Sequence, residues 1–187
     1  MKKEFFSAIR LTVVSVVFFV IIYPAIIWGV AQATPSKGKG ETVLVGNKVV
    51  GYKLEGQNFT NDIVFNGRPS AVGYNASGSG GSNKGPSNPE YLKDVQSKID
   101  TFLIHNPEIK KEQIPSELVT SSGSGLDPDI SLESAFIQVP RIAKARRVNE
   151  EDLKKLINLK IEKPLFGILG PEKVNVLQLN LALNNLK

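Results

Sequence analysis

Apolar residues run without a charged interruption from Leu11 to Ala31, LTVVSVVFFVIIYPAIIWGVA, between Arg10 and a polar segment. As a helix, 21 residues reach about 31 Å, enough for a bilayer core. Thr12 and Ser15 fit such a helix because their hydroxyls can bond its own carbonyls, and Pro24 predicts a kink eased by a local adjustment. Tyr23 and Trp28, towards the far end, read as interfacial anchors. A buried soluble helix would not be expected at the extreme N-terminus with this length. A cleaved signal peptide is the serious rival, with Lys2 and Lys3 as its basic region and Ala31-Gln32-Ala33 as its cleavage pattern. The length of the run and its bulky Tyr23 and Trp28 favour a retained span. Basic residues are nearly balanced across it: Lys2, Lys3 and Arg10 before, Lys37, Lys39 and Lys48 after. Those before lie closer to the run, which points to an N-terminus inside and a large domain outside.

The remaining chain alternates short apolar groups with polar loops. Residues 32–41 form a short polar linker, so the organisation reads as an N-terminal tail 1–10, a span 11–31, the linker, and an external domain 42–187. Thr42 to Leu54 holds two β-branched runs divided at Gly46-Asn47, a hairpin signal. Phe59, Ile63 and Phe65 follow, with a turn expected at Asn66-Gly67. Residues 67–89 are rich in glycine and serine, yet Arg68, Tyr74 and the closing GPSNP make them an ordered loop rather than a spacer. Asn88 caps a helix with Pro89 at its first position. Leu92, Val95, Ile99, Phe102 and Leu103 give that helix a face to pack on the strands, and Asn106-Pro107 ends it.

Ile114 to Thr120 reads as an extended approach to a second loop, Ser121 to Ser131. Ser131 then caps a helix whose buried face is Ala135, Phe136, Val139, Ile142 and Ala143, interrupted at Pro140. Its other side is basic through Arg141, Lys144, Arg146 and Arg147, either a solvated face or a docking surface for a carboxylate-bearing partner. Asn149 opens a third helix with acidic residues in its first turn and Leu153, Leu156 and Ile157 inward, ended by Pro164. In the tail, Leu177, Leu179, Leu181 and Leu183 alternate as in a half-buried strand beginning at Val174, although leucine and alanine also favour helix. The expected class is α+β, a mixed α/β domain attached to a single N-terminal transmembrane helix.

Composition narrows the chemistry. The net charge is +5, with 23 Lys+Arg against 18 Asp+Glu, and well mixed, which argues against a nucleic-acid surface. No cysteine is present, which removes disulfides and thiolate ligands. The single histidine, His105, reads as a capping or surface residue at a helix end. Gly80 to Gly85 has the spacing of a phosphate loop, but Pro86-Ser87 stands where Lys and Ser/Thr are needed. No GxSxG or SxxK nucleophile motif occurs. Asp127 and Asp129 resemble part of a cation loop without its other ligands. The glycine-serine turns Ser79–Ser82 and Ser121–Gly125 could form anion nests, or could satisfy their own backbones through Ser and Asn. The residues alone describe a membrane-tethered binding or assembly module, with no catalytic or metal site.

Four blocks carry a resemblance: FNGRPSAVGYNASGSGGSNKGPSNP, IPSELVTSSGSGLDPDIS, AFIQVPRIAKARRV and FGILGPEKVNVLQLNLALN. In this order they resemble the C-subunit family of the bacterial Kdp potassium-transporting P-type ATPase, over nearly the whole chain. Gly67, Arg68, Pro69, Ser70, Tyr74 and Asn75 match its FxGRPSxxxYN pattern; Ser79 to Asn83 with Gly85-Pro86 and Asn88-Pro89 match SGGSNxGPxNP. Val119-Thr120, Ser122 to Pro128 and Ile130-Ser131 match VTxSGSGLDPxIS. Asn66, Lys84 and Asp129 depart from a common tryptophan, leucine and histidine.

The resemblance implies a non-catalytic accessory subunit of an ATP-driven potassium uptake pump, single-pass in the bacterial plasma membrane, needed for assembly and activity. Its partners would be the ion-conducting subunit, near whose outer entrance it sits, the ATP-hydrolysing subunit and a further small membrane subunit. ATP and Mg2+ would be used by the catalytic partner, and a role in helping the pump use nucleotide is discussed for the family. The alternative is an exported or tethered ligand-binding or scaffold protein without a pump. Ala25, Gly29 and Ala33 place small residues on one helix face for close approach to a partner span. Arg68, Ser82, Asn83, Asn88, Ser122, Ser124, Asp127, Asp129 and Arg141 are the candidate functional or assembly residues of the external loops.

Overall fold

The computed structural model of the chain describes residues 2–186 and divides into two units, one ending at Glu41 and one beginning at Thr42. The first is helical from Lys2 to Gln32, the one helix among the described residues long and apolar enough to cross a membrane. It consists of α1 (Lys2–Val16), a π-helical stretch (Val17–Ile22) and α2 (Tyr23–Gln32). The helix therefore starts well before the apolar run. In the π stretch the Tyr23 N–H bonds to Phe18 O, five residues back. Pro24 lacks an N–H and its ring needs room against the preceding turn, so the widened register supplies the adjustment expected there. No side chain of these segments is buried. The linker coils into turns, with the Thr34 hydroxyl donating to Ala31 O at 2.7 Å.

The second unit opens with the expected hairpin, β1 (Thr42–Val45) against β2 (Lys48–Tyr52), with a bulge between Val43 and Leu44. A separate antiparallel sheet has the order β3 (Asp129–Ile130), β5 (Lys173–Asn175), β4 (Ile161–Glu162). Around it lie α3 (Pro89–His105), α4 (Leu132–Phe136), α5 (Val139–Arg146), α6 (Glu150–Leu159) and α7 (Val176–Leu183). The core gathers Phe65, Ile130, Ala135, Val139, Ile142, Leu153, Ile157, Val174, Leu179 and Leu183. Ser131 caps α4 and Asn149 caps α6. The break between α4 and α5 falls just before Pro140, in the first turn of α5.

Four expectations are corrected. The tail is not a strand from Val174: β5 ends at Asn175, whose side chain accepts from Gln178 N–H at 3.0 Å and starts α7. Leu177, Leu179 and Leu183 are all buried on that helix, so the alternation reflects burial on several sides rather than a pleat. No strand is a main packing partner of helix α3. Its half-buried side faces loops, through Lys98 to Ser121 and His105 to Asp62, while Leu92 stays exposed. Ser116–Leu118 is a 3-10 turn rather than an extended approach. The turn placed at Asn66-Gly67 also lies earlier, with Val64 N–H bonding to Asn61 O.

Residues 61–66 run from an exposed turn into the interior, reaching full burial at Phe65, without a strand partner, and side chains from the helices take the place of one. Asn180 Oδ1 accepts from Phe65 N–H at 2.8 Å while its Nδ2 donates to Phe65 O at 2.9 Å. Gln138 repeats the pattern on Asn66, accepting from its N–H at 2.8 Å and donating to its carbonyl at 3.2 Å. Asn180→Leu keeps the volume but leaves a buried N–H and C=O unpaired, so the domain should lose about 2–4 kcal/mol. Denaturant unfolding of the full chain in detergent, followed by near-UV circular dichroism, reads this loss. An unchanged midpoint would remove the clamp from the account.

Candidate functional site: the loop cluster around Arg68

Gly67 onward leaves the clamp and forms the glycine-rich loop, which doubles back on itself around two side chains. The Ser70 hydroxyl accepts from Tyr74 N–H at 2.9 Å and Val72 N–H at 3.2 Å, and donates to Gly125 O at 2.7 Å. Tyr74, in a left-handed backbone conformation, donates its hydroxyl to Arg68 O. Burial and the Asp127 charge push the Tyr74 phenol above its ordinary pKa, opposed by the Arg68 charge. These contacts fix where Arg68 begins.

The two unusual loops lie against each other. Ser122 N–H bonds to Pro69 O at 3.0 Å, Gly80 N–H to Ser124 O at 2.8 Å, and the Ser79 hydroxyl donates to the same carbonyl. A Cβ on Gly125, which has φ +67°, would lie 2.8 Å from Gly80 O and closer still to Val72. Only glycine fits there. Serine and backbone groups thus satisfy one another across the loops, the second of the two roles open to the glycine-serine turns.

Arg68 Nη1 meets Asp127 Oδ2 at 2.9 Å, with both side chains about three-quarters buried. The other Asp127 oxygen accepts from Asp129 N–H at 3.1 Å. Asp129 pairs in turn with Lys173 and receives Asn175 Nδ2 at 3.3 Å. Arg68 Nε is buried without a hydrogen-bond partner. Beside this network, Glu117 Oε1 accepts from Ser131 N–H at 2.8 Å. Burial pushes the Glu117 carboxyl up, but Ser134, the Ser131 donors and the Arg68 charge outweigh it and hold its pKa below the ordinary value. Ser134 Oγ favours the carboxylate by proximity, without hydrogen-bonding geometry of its own. Hollows flank Arg68 on two sides. One of about 350 Å³ is lined by Tyr74, Lys98 and Phe102; one of about 230 Å³ is lined by Glu117, Asp129 and Lys173.

The candidate residues divide between this cluster and its surroundings. Arg68, Ser122, Ser124, Asp127 and Asp129 belong to it. Ser82 is half-buried in the first loop, and Asn83 is exposed with φ +54°. Asn88 has a helix-capping role, accepting from Glu90 and Tyr91 N–H. Arg141 departs from the basic face expected of it: it is 8% exposed, and its guanidinium donates to Asp62 O, Val64 O and Gln138 Oε1. Burial lowers its pKa, with Asp62 opposing. Arg146 is likewise spent on Leu183 O and Asn184 Oδ1. His105 closes α3 at the surface, 2.9 Å from Asp62.

Glu117, Gln138, Asn175 and Asn180 were not singled out by sequence. Gln138 and Asn180 did carry a signal, each being a polar residue inside an apolar run. Asp127 and Asp129 each face a cationic side chain, and among the described residues no three His, Cys, Asp or Glu side chains converge as a metal site. Ion pairs, aligned amides and carbonyls suit the cluster to holding loops in place and to recognition.

Because the Glu117 pKa is lower folded than unfolded, its contribution is present above the ordinary value of 4.5. It is lost as pH falls below that value through the folded pKa. Stability measured against pH should therefore fall less steeply on the acid side in Glu117→Gln than in the parent chain. Parallel acid limbs would show that this carboxylate has no such linkage.

Comparison with known proteins places these loops in context. Residues 5–185 match the family model described as "KdpC: K+-transporting ATPase, c chain". A relative from Flavobacterium psychrophilum is 56% identical over 185 residues, covering 99% of this chain and 100% of its own length. Relatives from Flavobacterium johnsoniae and Caldanaerobacter subterraneus are 54% and 44% identical, covering 100% and 95% of their own lengths and 99% and 98% of this chain. All three bear the name "Potassium-transporting ATPase KdpC subunit".

Proposed function

The chain belongs to the KdpC family, and from that premise we propose that it is a non-catalytic accessory subunit of an ATP-driven potassium uptake pump. The observation that carries this reading is the end-to-end match to relatives named as subunits of such a pump. Its partners are the ion-conducting and ATP-hydrolysing subunits and a further small membrane subunit, and ATP with Mg2+ belongs to the catalytic partner. The apolar helix crosses the plasma membrane once, with the tail 1–10 in the cytoplasm, the span over 11–31, the linker 32–41, and the domain 42–187 outside. An uncleaved span would exclude an exported, released protein, and association with a pump would exclude a tethered scaffold without one.

Two physical features support an assembly role. The helical unit leaves its apolar side chains uncovered, with Trp28, Phe19 and Val20 all more than 60% exposed. In a bilayer such a helix is satisfied by lipid or by a partner helix. A Cβ on Gly29 would meet nothing within 4 Å, so the face of Ala25, Gly29 and Ala33 is open to close approach. Tyr23 and Trp28 set the depth. In the domain, the cluster of Arg68, Asp127 and Asp129, with Ser82, Asn83, Ser122 and Ser124 on its loops, presents a preformed polar surface. Asn88 and Arg141 act from behind it, by fixing α3 and the segment before Arg68.

A mild-detergent pull-down of the tagged full chain under potassium limitation, with intact-mass analysis, tests the reading. Two larger pump subunits should co-purify with uncleaved bait; a shortened bait recovered alone would overturn it. Gly29→Ile should lower the yield of complex without reducing membrane insertion of the chain. Arg68→Ala removes a charge-assisted hydrogen bond and should cost the domain about 1–2 kcal/mol. In proteoliposomes it should lower complex yield or potassium flux, and unchanged values of both would exclude Arg68 from assembly and pumping.

A further inference from the structure

The hairpin that opens the domain has two unlike edges. Val43 pairs with Gly51 and Leu44 with Val49, so the extra residue of the bulge is Val50, on β2. Val50 O accepts from Gln57 Nε2 at 3.0 Å, and the chain after β2 thereby closes that side. The other edge is open. β1 keeps its regular pleat, and within the domain no backbone group of Thr42–Val45 bonds to anything but β2. Alternate residues of an antiparallel strand turn both N–H and C=O away from their partner, so β1 presents unpaired donors and acceptors. Such an edge is commonly blunted by a charge or a proline, and Thr-Val-Leu-Val has neither.

A groove of about 530 Å³ runs beside this edge, lined on one side by Val43, Leu44 and Val45. Successive side chains of a strand point to opposite faces, so a groove that touches all three follows the strand's edge. The opposite wall is α7 and the turn that ends it, through Gln178, Leu181, Ala182 and Asn185. Their spacing of three, four and seven puts these four on one stripe of the helix, the stripe that its buried residues leave over. Leu181 and Ala182 are half-buried and apolar. The side-chain amides of Gln178 and Asn185 make no hydrogen bond among the described residues, and each can serve a backbone N–H or C=O. A strand added to β1 would lie about 4.8 Å from it, in the groove, with alternate side chains on the α7 stripe. Lys160 is the one charged side chain lining the groove among the described residues. Glu162, two positions on, lies beside Lys53 and Lys173 instead.

We propose that β1 is completed, in the assembled pump, by an extended segment of a partner subunit. That segment carries apolar side chains at alternate positions and a carboxylate that meets Lys160. Main-chain hydrogen bonds to β1 give such a contact its strength, and the α7 stripe gives it selectivity. The inference rests on the accessory-subunit reading and names a surface separate from the Arg68 cluster.

A photo-cross-linking phenylalanine analogue replaces Val45 in the tagged full chain, with exposed Lys93 of α3 as the control position. Cells grown under potassium limitation are irradiated, the complex is purified in mild detergent, and joined peptides are identified by mass spectrometry. Position 45 should join to one short stretch of a pump subunit that position 93 does not reach. Amide exchange over residues 42–45 should be several-fold slower in the complex than in the free chain. Ala182→Trp fills the groove and Lys160→Glu reverses its charge, and each should lower the cross-link yield several-fold. Pump subunits that co-purify while position 45 joins to nothing, to a second copy, to an unrelated protein or to residues 1–41 of its own chain would overturn the inference. The accessory-subunit reading would then still stand. Unchanged exchange over 42–45 in that complex would have the same meaning. Recovery of the chain with no pump subunit would remove both.

Discussion

The segment from Asn61 to Asn66 carries polar backbone from the surface into the apolar core at Phe65, and the domain is arranged around satisfying it. Buried N–H and C=O groups need partners, and no strand lies beside these. Asn180 from α7 serves Phe65, Gln138 before α5 serves Asn66, and Arg141 from α5 collects the carbonyls of Asp62 and Val64. Gln138 Oε1 also receives Arg141 Nη2 at 2.8 Å, so the groups form one network. A conventional sheet would tie a segment to its neighbouring strands. Here the same chemistry ties it to two helices from distant parts of the chain.

That arrangement determines what can follow. Phe65 is inserted fully into the core with its backbone fixed on both sides, so Arg68 leaves from a defined point. Arg68 then meets Asp127, which shares its second oxygen with the Asp129 backbone, and Asp129 meets Lys173 beside the sheet. Glycine at 81 and 125 lets the two loops approach to van der Waals distance, with little room left for a Cβ. The cluster is therefore an extension of the core's polar network to the surface. A rigid surface of this kind loses little freedom on binding, which suits a permanent subunit contact.

What was legible in the sequence was local. Asn88, Ser131 and Asn149 could be read as caps because capping depends on residues two or three apart. The hairpin at Gly46-Asn47 and the interruption at Pro140 were legible for the same reason. The uncharged run showed a long apolar helix directly. Distant pairings were hidden: Arg68 and Asp127 are 59 positions apart, and Arg141 lies about 80 from the carbonyls it holds. A basic residue on a helix reads as solvated until its acceptors are known. Helix α7 was misread because a helix buried on several sides loses its 3.6-residue period, and four alternating leucines then imitate a strand.

The exposed groups complete the physical picture. A chain that seals its interior with side-chain amides leaves the whole apolar length of its N-terminal helix uncovered. It also holds Phe166 in a costly backbone conformation at the apex of a loop. Neither feature stabilises the isolated chain, and both would be liabilities in water. They become favourable only where lipid or another subunit covers them. The energetic case for this protein thus closes outside its own fold, as expected of a subunit built to be held in a membrane assembly.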